Sequence, residues 1–333
     1  MEDKPKLPPE DQTVDSLLRP SHWDEYIGQD KVKKNLHIIL EAAKKRQEAC
    51  DHLLFYGQAG LGKTTLAHLV AKEMGANIKT TSGPALEKMG DLAAVLTNLE
   101  RSDVLFIDEA HRLNKTIEEV LYPAMESRKL HLMVGKGPAA RMLTIDLPAF
   151  TLIAATTRAN LLSGPLRSRF GASFKLDYYE NSDIEAIIKR SAKVLNLKIS
   201  QDAIRVIAGA ARFTPRVANR ILRRVRDYAE VNSAAVIDEE VAKKTLEMLE
   251  VDKLGLEPHD RRLLEVIIKK FHGGPVGAAT LAAALNDDRG NIEDIYEPYL
   301  MSIGLLARTP AGRVATEAAY EHLGIPDPGA KLI

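Results

Sequence analysis

The chain of 333 residues has a single cysteine, Cys50, and only nine histidines. One cysteine excludes an intramolecular disulfide, and the histidines lack the close spacing that zinc ligands need. Basic and acidic side chains number 46 each, so no net charge draws the protein onto DNA or a membrane. These absences favour a cytosolic protein that folds without a metal, in which any contact with nucleic acid comes from local patches.

Long apolar runs are also missing. The N-terminus, MEDKPKLPPEDQ, is charged and rich in proline, so it lacks the apolar core of a signal peptide. No segment reaches the roughly 18 apolar residues that a membrane span needs. We therefore expect residues 1–15 to be disordered and the chain to stay out of the membrane, with a length sufficient for two or three domains.

The patterns that are present divide the chain into three parts. Short apolar runs alternate with amphipathic stretches up to about residue 180, which predicts an α/β domain with a parallel sheet. The periodicity over 181–252 is helical and predicts a small all-helical domain. In 253–333, three predicted helices precede two short arms around a Thr-Pro-Ala-Gly turn. That order is typical of a winged helix, and a plain three-helix interaction module remains the alternative.

The segment GQAGLGKT, residues 57–64, fits the pattern G-x-x-x-x-G-K-[ST], follows a predicted strand and opens a predicted helix. Glycines such as Gly60 and Gly62 let backbone N–H groups approach phosphates, and Lys63 neutralises the β and γ oxygens. The Thr64 hydroxyl can bind magnesium, and Thr65 can reach the α-phosphate. The segment predicts a site for a nucleoside triphosphate with Mg²⁺.

Two later strand ends carry further polar residues. In VLFIDEAHRL, Asp108 can hold the magnesium ion and Glu109 can act as general base towards a water molecule, although an acidic pair can also simply cap a helix. In LIAATTR, a hydroxyl of Thr156 or Thr157 could orient that water, whereas threonine at a strand end is more often a matter of β-propensity.

Arginines follow at two places. Arg167 and Arg169 lie in GPLRSRFG, where a guanidinium could act on the γ-phosphate of a neighbouring subunit or be an ordinary surface charge. In FTPRVANRILRRVR, Arg216 falls in the first turn of a predicted helix, and we expect it near the nucleotide. The other arginines of this stretch, Arg212, Arg220 and Arg224, share its helical spacing and are expected to form a solvated basic face.

The predicted C-terminal hairpin has Arg308 and Arg313 on either side of its turn and no acidic residue nearby. Two guanidiniums at a hairpin tip could bind successive DNA phosphates without reading sequence, with Arg289 as a weaker third candidate. The preceding helix carries Glu293, Asp294 and Glu297, which phosphates would repel.

A second predicted hairpin occupies 129–147 around a Gly-Lys-Gly-Pro turn. Its alternation places Leu130, Leu132 and Val134 on one face. If the hairpin projects, that face offers apolar area to a partner; otherwise it packs on its own domain.

Several segments together resemble the RuvB family, bacterial Holliday-junction branch-migration motors of the AAA+ ATPase class. The resemblance extends from about Leu18 to Pro326, and the segments that carry it are GLGKTTLA, TTSGPALEKMGDLAAVLTNLE, LFIDEAHRLN, EEVLYPAME, GKGPAAR, TLIAATTR, PLRSRFG, TPRVANRILRRVRD and FHGGPVG. It implies an AAA+ P-loop domain (1–180), a helical lid (181–252) and a C-terminal winged-helix domain (253–333).

The resemblance also implies function. A homohexamer would use ATP and Mg²⁺ to drive double-stranded DNA of a Holliday junction through its centre, with RuvA bound at the 129–147 hairpin and RuvC cutting the junction. By motif, Thr157 would be sensor 1, Arg169 the finger into the next subunit's site and Arg216 sensor 2. The implied nucleotide contacts further include Leu18, Arg19, Tyr179 and, less closely matched, Glu126, Ser127 and Arg128.

The sequence departs from the family pattern in places. Gln58-Ala59 replaces the usual Pro-Pro of the phosphate loop and Phe213 replaces a glycine, and neither change removes a catalytic group. Other interpretations fit less well. A DEAH-type helicase would need a second recombinase-like domain, a protein unfoldase would need an aromatic pore loop, and a clamp-loader-like scaffold would not need both Glu109 and Arg169.

Overall fold

The computed structural model describes residues 14–134 and 141–326. The elements of the first part are, in chain order, α1 (Val14–Leu18), α2 (Asp30–Arg46), β1 (Leu53–Tyr56), α3 (Lys63–Glu73), β2 (Ile78–Ser82), α4 (Met89–Thr97), β3 (Val104–Asp108), α5 (Lys115–Glu126), β4 (Lys129–Val134), β5 (Arg141–Asp146), β6 (Thr151–Thr156), α6 (Gly164–Arg167) and β7 (Ala172–Lys175). The later elements are α7 (Asn181–Val194), α8 (Gln201–Gly209), α9 (Pro215–Val231), α10 (Glu239–Met248), α11 (Pro258–Phe271), α12 (Ala278–Leu285), α13 (Arg289–Asn291), α14 (Glu297–Ser302), β8 (Leu306–Thr309), β9 (Gly312–Ala315) and α15 (Glu317–Leu323).

The predicted parallel sheet is confirmed. Its five strands lie in the order β2-β3-β6-β1-β7, and every neighbouring pair is parallel. The central strands are apolar and buried almost throughout, as expected when both faces of a sheet are covered. Because all strands point the same way, the residues that follow β1, β3 and β6 meet at one edge of the sheet.

The N-terminal expectation was partly wrong. Residues 1–13 of the segment predicted to be disordered lie outside the described residues, but α1 begins at Val14. Among the described residues, no helix has both the length and the hydropathy needed to cross a bilayer.

The described chain divides into two compact units. One comprises the residues up to Ile187 together with Thr214–Arg216, and the other comprises Ile188–Phe213 and the residues from Val217 onwards. The second unit therefore includes most of the predicted lid and the described residues of the predicted C-terminal domain. Within it, the ring of Phe213 lies 6.2 Å from that of Tyr299.

The C-terminal layout is that of a winged helix, as predicted. The helices α11, α12 and α13–α14 precede the antiparallel pair β8 and β9. A π-helical turn, Ile292–Tyr296, joins α13 to α14, and α15, which we did not predict, follows the hairpin. These elements share one core that includes Leu263, Ile267 and Leu300.

Candidate functional site

Lys63 is the first residue of α3 and is almost fully buried, with 7% of its surface exposed. Its ammonium group donates hydrogen bonds to the carbonyl oxygens of Gly57 (2.8 Å) and Gln58 (2.7 Å) within its own loop. Burial lowers the pKa of Lys63 to about 8, an effect that the carboxylate of Asp108 only partly opposes. The loop thus holds a buried cation at a helix N-terminus, the environment that binds phosphate.

The glycines of the loop are needed for close approach. Gly62 has φ +96°, and a Cβ there would lie 2.8 Å from the hydroxyl of Tyr26. Gly60 has φ +82°, and a Cβ there would lie 2.9 Å from Cβ of Arg216. Both positions therefore require glycine. The structure brings Arg216 next to the phosphate loop in the first unit, and its side chain is exposed.

Asp108 at the end of β3 faces Thr64 at the start of α3. The Thr64 hydroxyl donates to Oδ2 of Asp108 at 3.4 Å, and Oδ1 of Asp108 accepts the backbone N–H of Glu109 at 2.9 Å. A hydroxyl and a carboxylate this close are hard oxygen donors of the kind that Mg²⁺ takes alongside water and phosphate oxygens. The two residues therefore fit the predicted magnesium site.

Glu109 is exposed and has left-handed backbone geometry, with φ 49°. Its carboxylate accepts a hydrogen bond from Arg112 at 3.1 Å. A Cβ on Gly83 would lie 2.4 Å from the Glu109 carbonyl oxygen, so only glycine fits beneath this residue. We did not single out Gly83 from the sequence, although its place in TTSGP after β2 could have drawn attention to it.

The two threonines after β6 have different surroundings. Thr156 is buried; its hydroxyl accepts the N–H of Arg158 at 2.9 Å and lies 3.0 Å from Nδ1 of His111. Thr157 is exposed at the same sheet edge. Thr156 therefore has a structural role, and Thr157 is the hydroxyl available to a ligand.

A buried pair of tyrosines lies under the loop. The Tyr179 hydroxyl donates to the carbonyl of Leu61 (3.2 Å) and to the Tyr26 hydroxyl (3.3 Å). Burial raises the pKa of Tyr179 to about 12 and that of Tyr26 well above its usual value, so both stay neutral. We did not identify Tyr26 from the sequence, because nothing local marks it.

Leu18 is buried, and Arg19 beside it is partly exposed. Burial and the Arg19 guanidinium both lower the pKa of His68 on α3. A cavity of about 320 Å³ adjoins this region; Pro20, Ser21, His68 and Lys72 are among its lining residues.

Arg169 is held by its own chain. Its guanidinium pairs with Glu126 at 3.0 Å, donates to the carbonyl of Pro165 at 2.6 Å and lies over the Tyr122 ring, 4.4 Å from the centroid. The Nε atom is buried and has no hydrogen-bond partner among the described residues. Glu126 and Arg169, predicted separately, thus come together.

The other two residues of the weakly matched segment differ from Glu126. The Ser127 hydroxyl donates to the Pro123 carbonyl at 2.9 Å, which caps the end of α5. Arg128 is exposed and has φ 55°.

The expected basic face around Arg216 was partly wrong. Arg212 precedes α9 and has φ 52°. Its Nε donates to the Gly255 carbonyl at 2.7 Å. Its guanidinium pairs with the buried carboxylate of Asp260 and lies 4.9 Å from the centroid of the Tyr299 ring. Arg220 pairs with Glu257. The carboxylates of Asp260 and Glu257 that neutralise these two arginines lie far away in sequence. The ion pairs therefore connect α9 and the residues before it to the start of α11.

The two arginines of the β8–β9 hairpin that we predicted to bind phosphate have unequal surroundings. Arg308 is exposed, but Arg313 is only 7% exposed and its guanidinium binds Glu297. Arg289 is exposed and pairs with Glu293 at 2.9 Å. Glu297 and Glu293 are thus neutralised within the domain, so the repulsion that we expected from them is largely compensated.

The expected partner surface on the β4–β5 hairpin was also wrong in part. Leu130 is fully buried in the core of its own domain, and Leu132 packs against that core. The exposed apolar residues are Met133 (59%), Met142 (67%) and Leu143 (49%). Val134 ends β4, and its side chain and the turn at 135–140 lie outside the described residues. Alternation alone gives two faces and does not say which one is buried.

Comparison with known proteins covers nearly the whole described chain. Residues 18–176 match the Holliday junction DNA helicase RuvB P-loop domain, 179–252 match the RuvB AAA lid domain, and 253–324 match the RuvB C-terminal winged helix domain. This chain belongs to the RuvB family. It is accordingly a P-loop ATPase with an AAA+ lid and a winged helix, which agrees with the predicted fold class and enzyme class.

Individual members of the RuvB family are similar to this chain over most of their length. The Holliday junction branch migration complex subunits RuvB of Chloroflexus aurantiacus and Dehalococcoides mccartyi are 57% and 55% identical, over 97% and 96% of this chain and 92% of each relative. The solved structure of the Thermotoga maritima RuvB Holliday junction branch migration motor superposes with a TM-score of 0.87 at 49% identity, covering 94% of this chain and all of that one.

Proposed function

We propose that this chain is an ATP-driven translocase for double-stranded DNA that works as a ring of six copies in the cytoplasm and moves Holliday junctions together with RuvA, while RuvC resolves them. The observation that carries the proposal is the buried Lys63 cation, whose hydrogen-bond partners among the described residues are carbonyl oxygens, beside the paired Thr64 and Asp108 in a member of the RuvB family. A buried cation without a paired carboxylate favours an anionic ligand.

Residues at this edge of the sheet have separate roles in ATP hydrolysis. Glu109 accepts the proton of the attacking water as its oxygen bonds to the γ-phosphorus and the bond to ADP breaks. Lys63 neutralises charge on the β and γ oxygens, and Thr157 and Arg216 orient the water and the γ-phosphate. Thr64 and Asp108 would hold the Mg²⁺ ion that accompanies ATP, and the ion would supply positive charge to the phosphate oxygens.

Arg169 acts on the site of the next copy. In the chain described here it contacts Glu126 and Tyr122, so assembly of a ring must exchange at least part of these contacts for the neighbour's γ-phosphate. A head-to-tail interface that closes gives each site one residue from its neighbour. Glu126 would then lie at the same interface.

The energy of ATP hydrolysis is needed to give the migration of the junction a direction. Migration of a junction exchanges each base-pair step, worth about 1.4 kcal/mol of stacking, for an equivalent step on other arms. The net free-energy cost per base-pair step is therefore small, and protein–DNA contacts that do not depend on base sequence are sufficient. The exposed Arg308 and Arg289 of the winged helix suit that role.

RuvA is the partner that we assign to the β4–β5 hairpin, through its exposed methionines. Replacing Met142 by aspartate should abolish stimulation by RuvA and leave basal ATP hydrolysis unchanged, because Met142 is far from the phosphate loop in sequence and 67% exposed. The matched variant, Leu132→Asp, should lower the melting temperature instead, since Leu132 packs against the domain core. Unchanged RuvA affinity of Met142→Asp in a pull-down titration would refute the assignment.

The function itself is tested by ATP hydrolysis assays with junction DNA, with an unfolded protein and with neither. We expect stimulation by junction DNA alone, accompanied by conversion of a synthetic junction to duplexes when RuvA is added. Stimulation by unfolded protein would point to an unfoldase. No hydrolysis under any condition would indicate a scaffold that only binds nucleotide.

A further inference from the structure

His52 is the residue immediately before β1, and both nitrogens of its ring make hydrogen bonds. Nδ1 accepts the backbone N–H of Leu152 at 2.8 Å, and a backbone N–H can only donate. The proton of the neutral ring therefore lies on Nε2, which donates to the carbonyl oxygen of Met125 at 3.2 Å. Burial lowers the pKa of His52, which favours this neutral form. The ring thus connects the start of β6 with the end of α5.

The Met125 carbonyl lies in the last turn of α5, where the helix itself has no further N–H to offer. His52 supplies the missing donor. The next residue, Glu126, pairs with Arg169, and one turn earlier the ring of Tyr122 lies under the same guanidinium. The hydrogen bond from His52 therefore fixes the end of the helix that carries two of the groups that hold Arg169.

The backbone of His52 holds the chain on the other side of Arg169. Its carbonyl oxygen accepts the N–H of Gly171 at 2.9 Å. A Cβ on Gly171 would lie 2.7 Å from Cβ of Asp51, so these two segments are in close contact. Because β6, β1 and β7 are parallel neighbours, the contacts lie at the edge where the strands begin, opposite the phosphate loop that follows β1. His52 thus contacts both segments that contribute to the pair of Glu126 and Arg169.

We propose that the ring of His52 is a positioning residue for Arg169: by holding the end of α5 against the start of β6, it sets where Arg169 meets the nucleotide of the next copy. This inference rests on the proposed function in one respect, the action of Arg169 on a neighbouring site. It assigns to His52 an effect on the neighbour's hydrolysis and none on the hydrolysis of its own chain.

Two other roles are open to a histidine at this place, and they make different predictions. His52 precedes β1, which leads to the phosphate loop, so a ring that acted along the strand would affect the site of its own chain. A ring that only stabilised the domain would affect every site to which the chain contributes. Rings that contain two kinds of chain separate these roles, because each kind supplies a different part of the active site.

The test mixes a Lys63→Ala chain, which supplies Arg169 but lacks the cation of the phosphate loop, with an equal amount of an Arg169→Ala chain, which supplies an intact loop. His52→Asn is then placed in one of the two chains at a time. The asparagine amide oxygen can replace Nδ1 as acceptor for Leu152, but the side chain is too short to donate to Met125. The ATP hydrolysis rate of each mixture is the readout.

Thr151→Val is the matched control. The hydroxyl of Thr151 donates to the carbonyl of Cys50 at 2.7 Å, so it also joins the start of β6 to the residues before β1. That bond does not involve α5. Thr151→Val should therefore lower the melting temperature, and its effect on the hydrolysis rate should be the same in whichever chain it is placed.

We expect His52→Asn in the Lys63→Ala chain to lower the hydrolysis rate of the mixture by about tenfold, since a displacement of about 1 Å can cost about a hundredfold. In the Arg169→Ala chain it should leave the rate unchanged. The loss should lie in kcat, with little change in the KM for ATP, because such an arginine stabilises the transition state. His52→Gln, whose longer side chain can again donate to Met125, should recover most of the rate.

An equal loss from both placements would overturn the proposal in favour of a structural role. A loss confined to the Arg169→Ala chain would overturn it in favour of an effect on the chain's own phosphate loop, and a full rate in both placements would overturn it outright. If His52→Asn fails to fold, His52→Phe, which keeps a ring beside Phe150, is measured in the same two placements with the same outcomes. No hydrolysis in the mixture without any His52 substitution would refute the shared site itself, and this inference with it.

Discussion

Lys63 and Arg313 are two cations with the same exposure, 7%, in two different parts of the molecule. Lys63 has two carbonyl oxygens as partners and a pKa lowered to about 8 by burial. Arg313 has a carboxylate as partner, and hydrogen bonds to Glu297, more than any other effect, raise its pKa. The first site lacks a full counter-charge and can accept one from a ligand, whereas the second is already neutralised by the protein.

The comparison predicts opposite results for removing the two cations, and the largest effect concerns activity. Replacing Lys63 by methionine should lower ATP hydrolysis by at least about a hundredfold, because charge on the transferred phosphoryl group then loses the cation that the phosphate loop holds in place. The free energy of unfolding without nucleotide should change by less than about 1 kcal/mol, since lost hydrogen bonds are offset by relief from burying the charge. Hydrolysis assays and urea unfolding of the same sample measure both.

The second prediction concerns stability. Arg313→Met should lower the free energy of unfolding by roughly 3–5 kcal/mol, because it leaves the Glu297 carboxylate buried and unpaired. Basal ATP hydrolysis without DNA should stay near that of the parent chain. A loss of stability no larger than that of Lys63→Met would remove the distinction between the two sites.

The Lys63 site and the Arg313 site also differ in how much of each can be predicted from the sequence. The phosphate loop, Asp108 and Glu109 are each contiguous motifs at strand ends, so their chemistry is readable locally. The pairing of Arg313 with Glu297, 16 residues away, and that of Arg212 with Asp260, 48 residues away, depend on tertiary packing. Charge patterns therefore suggested exposed basic faces where the structure has ion pairs.

In the hairpin at 129–147 and in the tyrosine pair under the phosphate loop, the partners of individual side chains were likewise not predictable from the sequence. Alternation predicted two strands correctly but not that Leu130 is the buried member of its face. Tyr26 is set by close contacts with residues remote in sequence, so no local pattern identifies it. Element positions follow from local periodicity, whereas partners of individual side chains do not.

A smaller effect is expected in the pH dependence of nucleotide binding. Below pH 8 Lys63 is protonated both with and without nucleotide, so binding takes up no proton there. Above pH 8 the free site has lost its proton while the phosphates restore the pKa of Lys63 to a higher value, so binding should take up as much as one proton and weaken as the pH rises. Titration calorimetry in buffers of different ionisation enthalpy measures the uptake, and Lys63→Met should abolish it.

The measurement that most directly tests the central claim, a nucleotide site completed by a second copy, is the ATP hydrolysis rate of a mixture of Arg169→Ala and Lys63→Ala chains. Each variant alone should be inactive. Random mixing in equal amounts should restore about one quarter of the parent sites, namely those that combine an intact Lys63 with an intact Arg169 from the neighbour. Inactivity at every mixing ratio, in rings shown by sedimentation to contain both chains, would contradict the account.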